Sequence, residues 1–118
     1  GQVVRLDNIY YDLAKWAIRP DAAVELDKLV QTLNDNPSVT IELSSHTDCR
    51  GKDPYNMDLS SKRAKSAVDY LIKQGIAKTR LTSKGYGETK PVETCDCKKC
   101  TDDEHQRNRR TEFKVLSK

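Results

Sequence analysis

Aromatic residues are scarce in this chain, with one tryptophan, one phenylalanine and five tyrosines among 118 residues. A nucleic-acid binder of this size usually interleaves aromatics with a basic stripe. Here the formal net charge is only +3 and acids and bases are interspersed. The basic clusters are Arg107-Asn-Arg109-Arg110 and the Lys98-Lys99 pair, so nucleic acid is not among the expected partners. Long apolar runs are missing too. None approaches the roughly 20 residues a membrane span needs, and there is no signal-peptide h-region, so no direct membrane insertion of this domain is expected. With 36% apolar and 33% charged residues, one small core under a polar surface is expected, in a chain long enough for one domain and too short for two. Gly1 runs straight into a strand-like segment. The chain therefore reads as a single domain, residues 1–118, excised from a longer protein, with any export signal, lipid anchor or partner domain outside it.

Cysteine is well represented. Three of the four lie in Cys95-Asp-Cys97-Lys-Lys-Cys100 and the fourth is Cys49. In an oxidising compartment they would pair; in a reducing one the cluster could hold zinc. Zinc sites usually draw two-residue-spaced pairs from two knuckles. Only Cys97-x-x-Cys100 is regular, and a second knuckle would have to be improvised from Cys95, Cys49, His46 or His105. Disulfides are the preferred reading.

Periodicity gives the order of elements. Arg5 to Tyr11 is rich in β-formers and reads as a strand. Arg19-Pro20-Asp21 opens a helix, proline standing at a first-turn position that needs no N–H. Ala22, Leu26, Leu29, Val30 and Leu33 form its apolar face, and the run Asn34-Asp-Asn-Pro37 stops it. Val39 to Leu43 alternates as a second strand. A second helix is expected from about Asn56 to Gln74, with Ala64, Ala67, Val68, Leu71 and Ile72 inward and Gly75 ending it. Leu81 to Tyr86 is a third strand, 88–106 a long polar loop, and Arg110 to Leu116 the last strand. This order predicts an α+β fold, a mixed sheet with helices packed on one face.

The second strand runs into "SSHTDCRG", Ser44 to Gly51, where three chemistries compete. As a nucleophile, Cys49 has His46 nearby, but neighbours two or three apart at a strand end point different ways, and Asp48 beside it raises a thiol pKa. As a metal site, His46, Asp48 and His105 are candidates, yet no spacing joins them. The third reading is recognition of a small zwitterion. Asp48 would take an ammonium group, and Arg63, early in the following helix, a carboxylate through two parallel hydrogen bonds. Spacing alone equally allows Asp48 and Arg63 to pair with each other.

Four ordered stretches carry more than spacing does. "SSHTDCRG", "YNMDLSSKRAKSAVDYLIKQGI", "RLTSKGYGETKPV" and "HQRNRRTEFKV" resemble the carboxy-terminal peptidoglycan-binding domain of the OmpA family, shared with Pal and MotB. The resemblance runs from Ile9-Tyr-Tyr-Asp12 to Val115. The cysteine-bearing loop is similar to that of the Bacteroidetes variant, including envelope proteins of secretion systems. The resemblance implies an OmpA-C-like βαβαββ sandwich that binds, without catalysis or cofactor, the diaminopimelate of peptidoglycan stems. It implies a periplasmic place, attached to the outer membrane and to other envelope proteins through parts outside this chain. Asp48 would hold the diaminopimelate ammonium and Arg63 its carboxylate. Thr47, Leu59 and Ser60 would line the pocket, and Arg109 would support the carboxylate end. Tyr11 and Asn56 belong to the same site, Asn56 with Asn108 mainly orienting loops. Ala14 stands where some relatives carry a polar ligand contact, and Trp16 beside it packs on the stem or in the core. Cys95 and Cys100 match a pair in the variant, so Cys49–Cys97 with Cys95–Cys100 is the implied connectivity. Cys49–Cys95 with Cys97–Cys100 is the alternative. A protein-interaction domain that kept the fold and lost the ligand is the other functional reading.

Overall fold

The alternation that marks the second strand has a direct structural meaning. Ile41, Leu43 and Ser45 are fully buried on one side of it, while Glu42, Ser44 and His46 lie on the other, because successive side chains of a strand point to opposite faces. The computed structural model describes residues 3–11 and 15–117. In chain order these form β1 (Val3–Tyr10), α1 (Pro20–Asp35), β2 (Thr40–Ser45), α2 (Asp53–Lys73), a 3-10 turn (Lys78–Arg80), β3 (Leu81–Gly85), α3 (Asp102–Asn108) and β4 (Arg110–Ser117). The sheet order is β1-β4-β2-β3. β4 is antiparallel to both neighbours, and β2 and β3 are parallel, joined through α2. The expected α+β mixed sheet is present.

The core lies between the sheet and α1 and α2, where Leu26, Leu29 and Leu33 of α1 meet Ile41, Leu43 and Leu71. Each buried aliphatic side chain of this kind contributes roughly 1.5–3 kcal/mol relative to exposure. Close approach fixes one glycine. A Cβ on Gly85 would collide with the Ser61 backbone nitrogen and the Ser60 hydroxyl, so α2 can seat against β3 only because this position lacks a side chain. At the far end of α2, Gly75 adopts φ +103. Its N–H donates to Ile72 O and the Ile76 N–H to Leu71 O, the paired bonds that close a helix C-terminus.

Two expectations about boundaries change. The second helix begins one turn earlier than Asn56, because Pro54 occupies its first turn, as Pro20 does in α1. The segment taken as loop to Gln106 contains α3, nucleated by a capping box in which Thr101 and Glu104 satisfy each other's backbone N–H. Trp16 is 45% exposed with the Lys62 ammonium 4.6 Å from its ring centre, which excludes its core reading. Ala14 lies outside the described residues.

Candidate functional site

Asp48 stands just beyond β2, 3% exposed. Its Oδ1 accepts the Arg50 backbone N–H at 2.9 Å, an Asx turn. Its Oδ2 accepts Arg50 Nη2 at 2.9 Å and Arg109 Nη1 at 2.7 Å. Burial alone would raise this carboxyl, but the hydrogen bonds from Arg50 and Arg109 outweigh it and bring its pKa down to about 2. The carboxylate therefore stays charged in a nearly dry place.

Arg63 is fully buried. It occupies the inward face of α2, one turn after Leu59 and one before Ala67, both also buried. Its Nε donates to Lys15 O at 2.8 Å and its Nη1 to His46 O at 3.1 Å. The Tyr11 ring lies 4.9 Å from the guanidinium carbon, a cation–π contact. Burial lowers the Arg63 pKa to about 10, with Tyr11 and Asp48 opposing that fall and Arg109 adding to it. It remains a cation at neutral pH. The Asp48 carboxylate is bonded by Arg50 and Arg109, and the guanidinium bonds described for Arg63 go to main-chain oxygens.

Neighbouring residues lock this arrangement. Arg109 Nε donates to Tyr11 O at 3.1 Å, and its Nη2 to Gln106 Oε1 at 3.1 Å. The Tyr11 hydroxyl lies 2.7 Å from Thr111 Oγ1, which lies 2.7 Å from Ser45 Oγ. Asn56 donates to Arg50 O and to Glu88, both at 3.1 Å. Asn108 Oδ1 accepts the N–H groups of Val92 and Glu93. Both asparagines thus hold loops. The Ser60 hydroxyl accepts the Gly87 N–H at 2.8 Å, and Gly87 O accepts the Thr47 N–H at 2.9 Å. Thr47 Oγ1 is buried without a partner, which costs about 1–3 kcal/mol unless something outside the chain supplies a bond.

Sequence reasoning missed Arg50 as a partner of Asp48, although an aspartate two residues before it, closed by Gly51, is an Asx-turn pattern. It also missed the division between Arg109 and Arg110. The two are adjacent at the start of β4, yet Arg109 reaches Asp48 while Arg110 bonds Lys90 O and Glu112. On that other side His46 stacks on Tyr86 at 5.4 Å, and its Nε2 lies 3.1 Å from Glu112. They border a separate cavity of about 160 Å³.

Cys49, the nucleophile candidate, is bonded to Cys97, and Cys95 to Cys100. This is the connectivity implied by the family resemblance, and among the described residues no cysteine is free. The first bridge ties the late segment to the residue beside Asp48.

Fold and site together define a two-layer α+β domain with a buried charge cluster at the junction of β2 and α2. Residues 10–109 match the OmpA family, and the chain belongs to that family. It is 37% identical over 94 residues to the peptidoglycan-associated lipoprotein of Rhizobium meliloti (strain 1021), covering 80% of this chain and 53% of that protein. It is 39% identical over 111 residues to part of the photosystem I P700 chlorophyll a apoprotein A2 of Gloeobacter violaceus, covering 92% of this chain and 13% of that protein. The chain thus spans about half the lipoprotein relative and a small part of the other. The crystal structure of the peptidoglycan-associated lipoprotein from Burkholderia pseudomallei superposes with a TM-score of 0.82 at 23% identity, over 98% of this chain and 91% of that one. At that identity the likeness speaks for the fold. Among the described residues, no helix is long and apolar enough to cross a membrane.

Proposed function

We propose that this domain binds peptidoglycan non-covalently and anchors a larger envelope protein to the cell wall. The observation that carries the proposal is the buried charge cluster: a carboxylate held ionised and a fully buried arginine on adjoining elements. The ligand is the zwitterionic end of diaminopimelate in a peptide stem. Its ammonium goes to Asp48 and its carboxylate to Arg63, with Arg109 supporting that end. The partnerless Thr47 hydroxyl offers one more bond, while Leu59 and Ser60 form the wall. Tyr11 and Asn56 hold the pocket's arginine and rim. Trp16, exposed beside Lys62, stands available to pack on the stem. Family membership and the name of the peptidoglycan-associated lipoprotein relative support the same reading.

Each charge-assisted hydrogen bond contributes roughly 1.5–3 kcal/mol before ordering costs, so one stem binds modestly. A wall presenting many stems compensates through repeated rebinding of nearby sites. Nothing in this chemistry breaks a bond. The disulfides fit an oxidising compartment, consistent with a periplasmic place and attachment to the outer membrane through other parts of the protein.

Sedimentation with purified sacculi tests the proposal. Wild type should pellet with the wall, while Asp48→Ala and Arg63→Ala should stay in the supernatant although folded. If both variants sediment like wild type, the ligand is not read here.

A further inference from the structure

Beside the pocket, three soft or borderline donors converge from separate parts of the chain. One ligand atom each of Cys49, Cys100 and His105 lies within 4.8 Å of the others. Cys49 follows β2, Cys100 ends the cysteine-rich turn, and His105 sits on α3. His105 is 3% exposed, and its Nδ1 has no hydrogen-bond partner. A buried imidazole nitrogen without a partner, beside cysteine sulfurs that reduction would release as thiols, can serve as a metal donor.

The scaffold that gathers these groups does not depend on sulfur–sulfur bonds alone. The N–H groups of Lys99 and Cys100 both donate to Asp96 O, at 2.7 and 2.8 Å, and the Lys98 N–H donates to the Asp96 side chain. Those bonds curl Cys97-x-x-Cys100 into a knuckle with the spacing used by zinc sites. The Thr101–Glu104 capping box fixes α3 and therefore His105. Asn108 ties the segment's other end at Val92 and Glu93.

We propose that, when both disulfides are reduced, Cys49, Cys97, Cys100 and His105 form a site for one zinc-class divalent cation. Cys97 starts within bonding reach because it is the disulfide partner of Cys49. Tetrahedral coordination with metal–sulfur bonds of about 2.3 Å needs donors about 3.8 Å apart, a contraction of at most about one ångström among Cys49, Cys100 and His105. The Cys97 sulfur, freed from Cys49, has to move outward by more than about an ångström. A phosphine reductant gives each disulfide two electrons, releasing two thiols and becoming its oxide with oxygen from water. Binding the cation then frees three protons, one from each ligating thiol. Reoxidation by an added disulfide oxidant, which takes two electrons and two protons for each bridge and leaves as two thiols, expels the metal. Disulfide and cation are thus alternative occupants of one cluster. Cys95 is the thiol left over.

Cobalt(II) titration of the whole domain, reduced by a phosphine without a chelating thiol, tests this. One equivalent per chain should produce thiolate charge-transfer and tetrahedral visible bands, which zinc bleaches, while the oxidised protein gives none. Cys100→Ser and His105→Gln should each weaken binding at least tenfold, and Cys95→Ser should leave it within about twofold. Less than one equivalent bound, or His105→Gln and Cys95→Ser behaving alike, overturns the proposal. Far-UV circular dichroism accompanies each titration. A reduced chain that loses its fold and does not regain it with zinc counts against the site as well.

Discussion

The turn after β2 and the segment 88–101 face each other across one disulfide, yet they are ordered in different ways. In the first, His46, Thr47 and Asp48 are all at most 3% exposed, and their main-chain and side-chain groups are wired into α2, β4 and Gly87. In the second no residue is buried, so there is little apolar surface to repay the entropy of ordering it. Covalent closure and a capped helix take the place of a core. The contrast teaches that a polar segment becomes rigid either by joining the interior through main-chain and charge-assisted hydrogen bonds or by shortening its own unfolded ensemble.

The largest effect should come from cutting the link between the two regions. The Cys49–Cys97 bridge closes 48 residues of sequence and Cys95–Cys100 only 5. On the loop-entropy scale these correspond to about 4 and about 2 kcal/mol. Replacing both members of the long bridge by serine should therefore lower stability in urea about twice as much as replacing the short pair. Equal losses would mean that the late segment is held mainly by its hydrogen bonds.

Arg63→Ala attacks the other mode of ordering. It strands the carbonyls of Lys15 and His46, which Arg63 now satisfies, and empties a buried space. A loss of about 3 kcal/mol is expected, together with sacculus binding. Arg63→Lys keeps the charge but not the fork, and should recover stability more than binding. If the alanine variant melts within a degree of wild type, the cluster is not part of the interior framework.

Acid should separate the regions further, at a smaller scale. The Asp48 carboxyl titrates at about 2 when folded against 3.8 ordinarily. Its contribution, about 2 kcal/mol, is present above 3.8 and disappears as pH falls from 3.8 towards 2. Glu112 is likewise held down to about 2, chiefly by its hydrogen bond from His46 and then by Arg110. Burial lowers His46, whose own loss begins earlier, as pH falls below 6.5, and precedes the carboxylate window that runs from 4.5 towards 2. Urea midpoints should fall through this window, and Asp48→Asn should show a shallower fall than wild type. The disulfide-bonded cysteines do not titrate, so the increment lost on removing the long bridge should stay constant over the same range.

These contrasts also explain what was legible in the sequence. Elements that bury an apolar stripe announce themselves, as Leu26, Leu29 and Leu33 do for α1 and Ile41 and Leu43 for β2. Asp48 and the cysteine pairing emerged from ordered motifs resembling a family, since spacing left both open. The α3 helix stayed hidden because its seven residues bury His105 and Asn108 in place of an aliphatic stripe, although Thr101-x-x-Glu104 was there to read. Arg63 falls on the inward face of α2 by simple four-residue spacing from Leu59 and to Ala67. Its letter reads as surface, and its burial depends on carbonyls from residues 15 and 46, which no local pattern links.

Arg50 sharpens the comparison at its finest point, because it belongs to the buried turn yet its side chain is 39% exposed. It holds Asp48 through both its N–H and its guanidinium, occupying an oxygen that a ligand ammonium would need. Of the two arginines on Asp48, Arg109 is also fixed by Tyr11 and Gln106, so Arg50 is the one that can swing away. Arg50→Ala retains the backbone bond and removes the competitor. Stability should fall by about 1 kcal/mol, part of what holds the buried Asp48 carboxylate ionised, because the backbone N–H and Arg109 still bond it. Affinity for a diaminopimelate-containing peptide should rise about two- to fivefold in calorimetry, the equivalent of about 0.4–1 kcal/mol. A weaker complex would instead make Arg50 a ligand contact, and the rim of the pocket would then extend one residue beyond the cysteine that staples it.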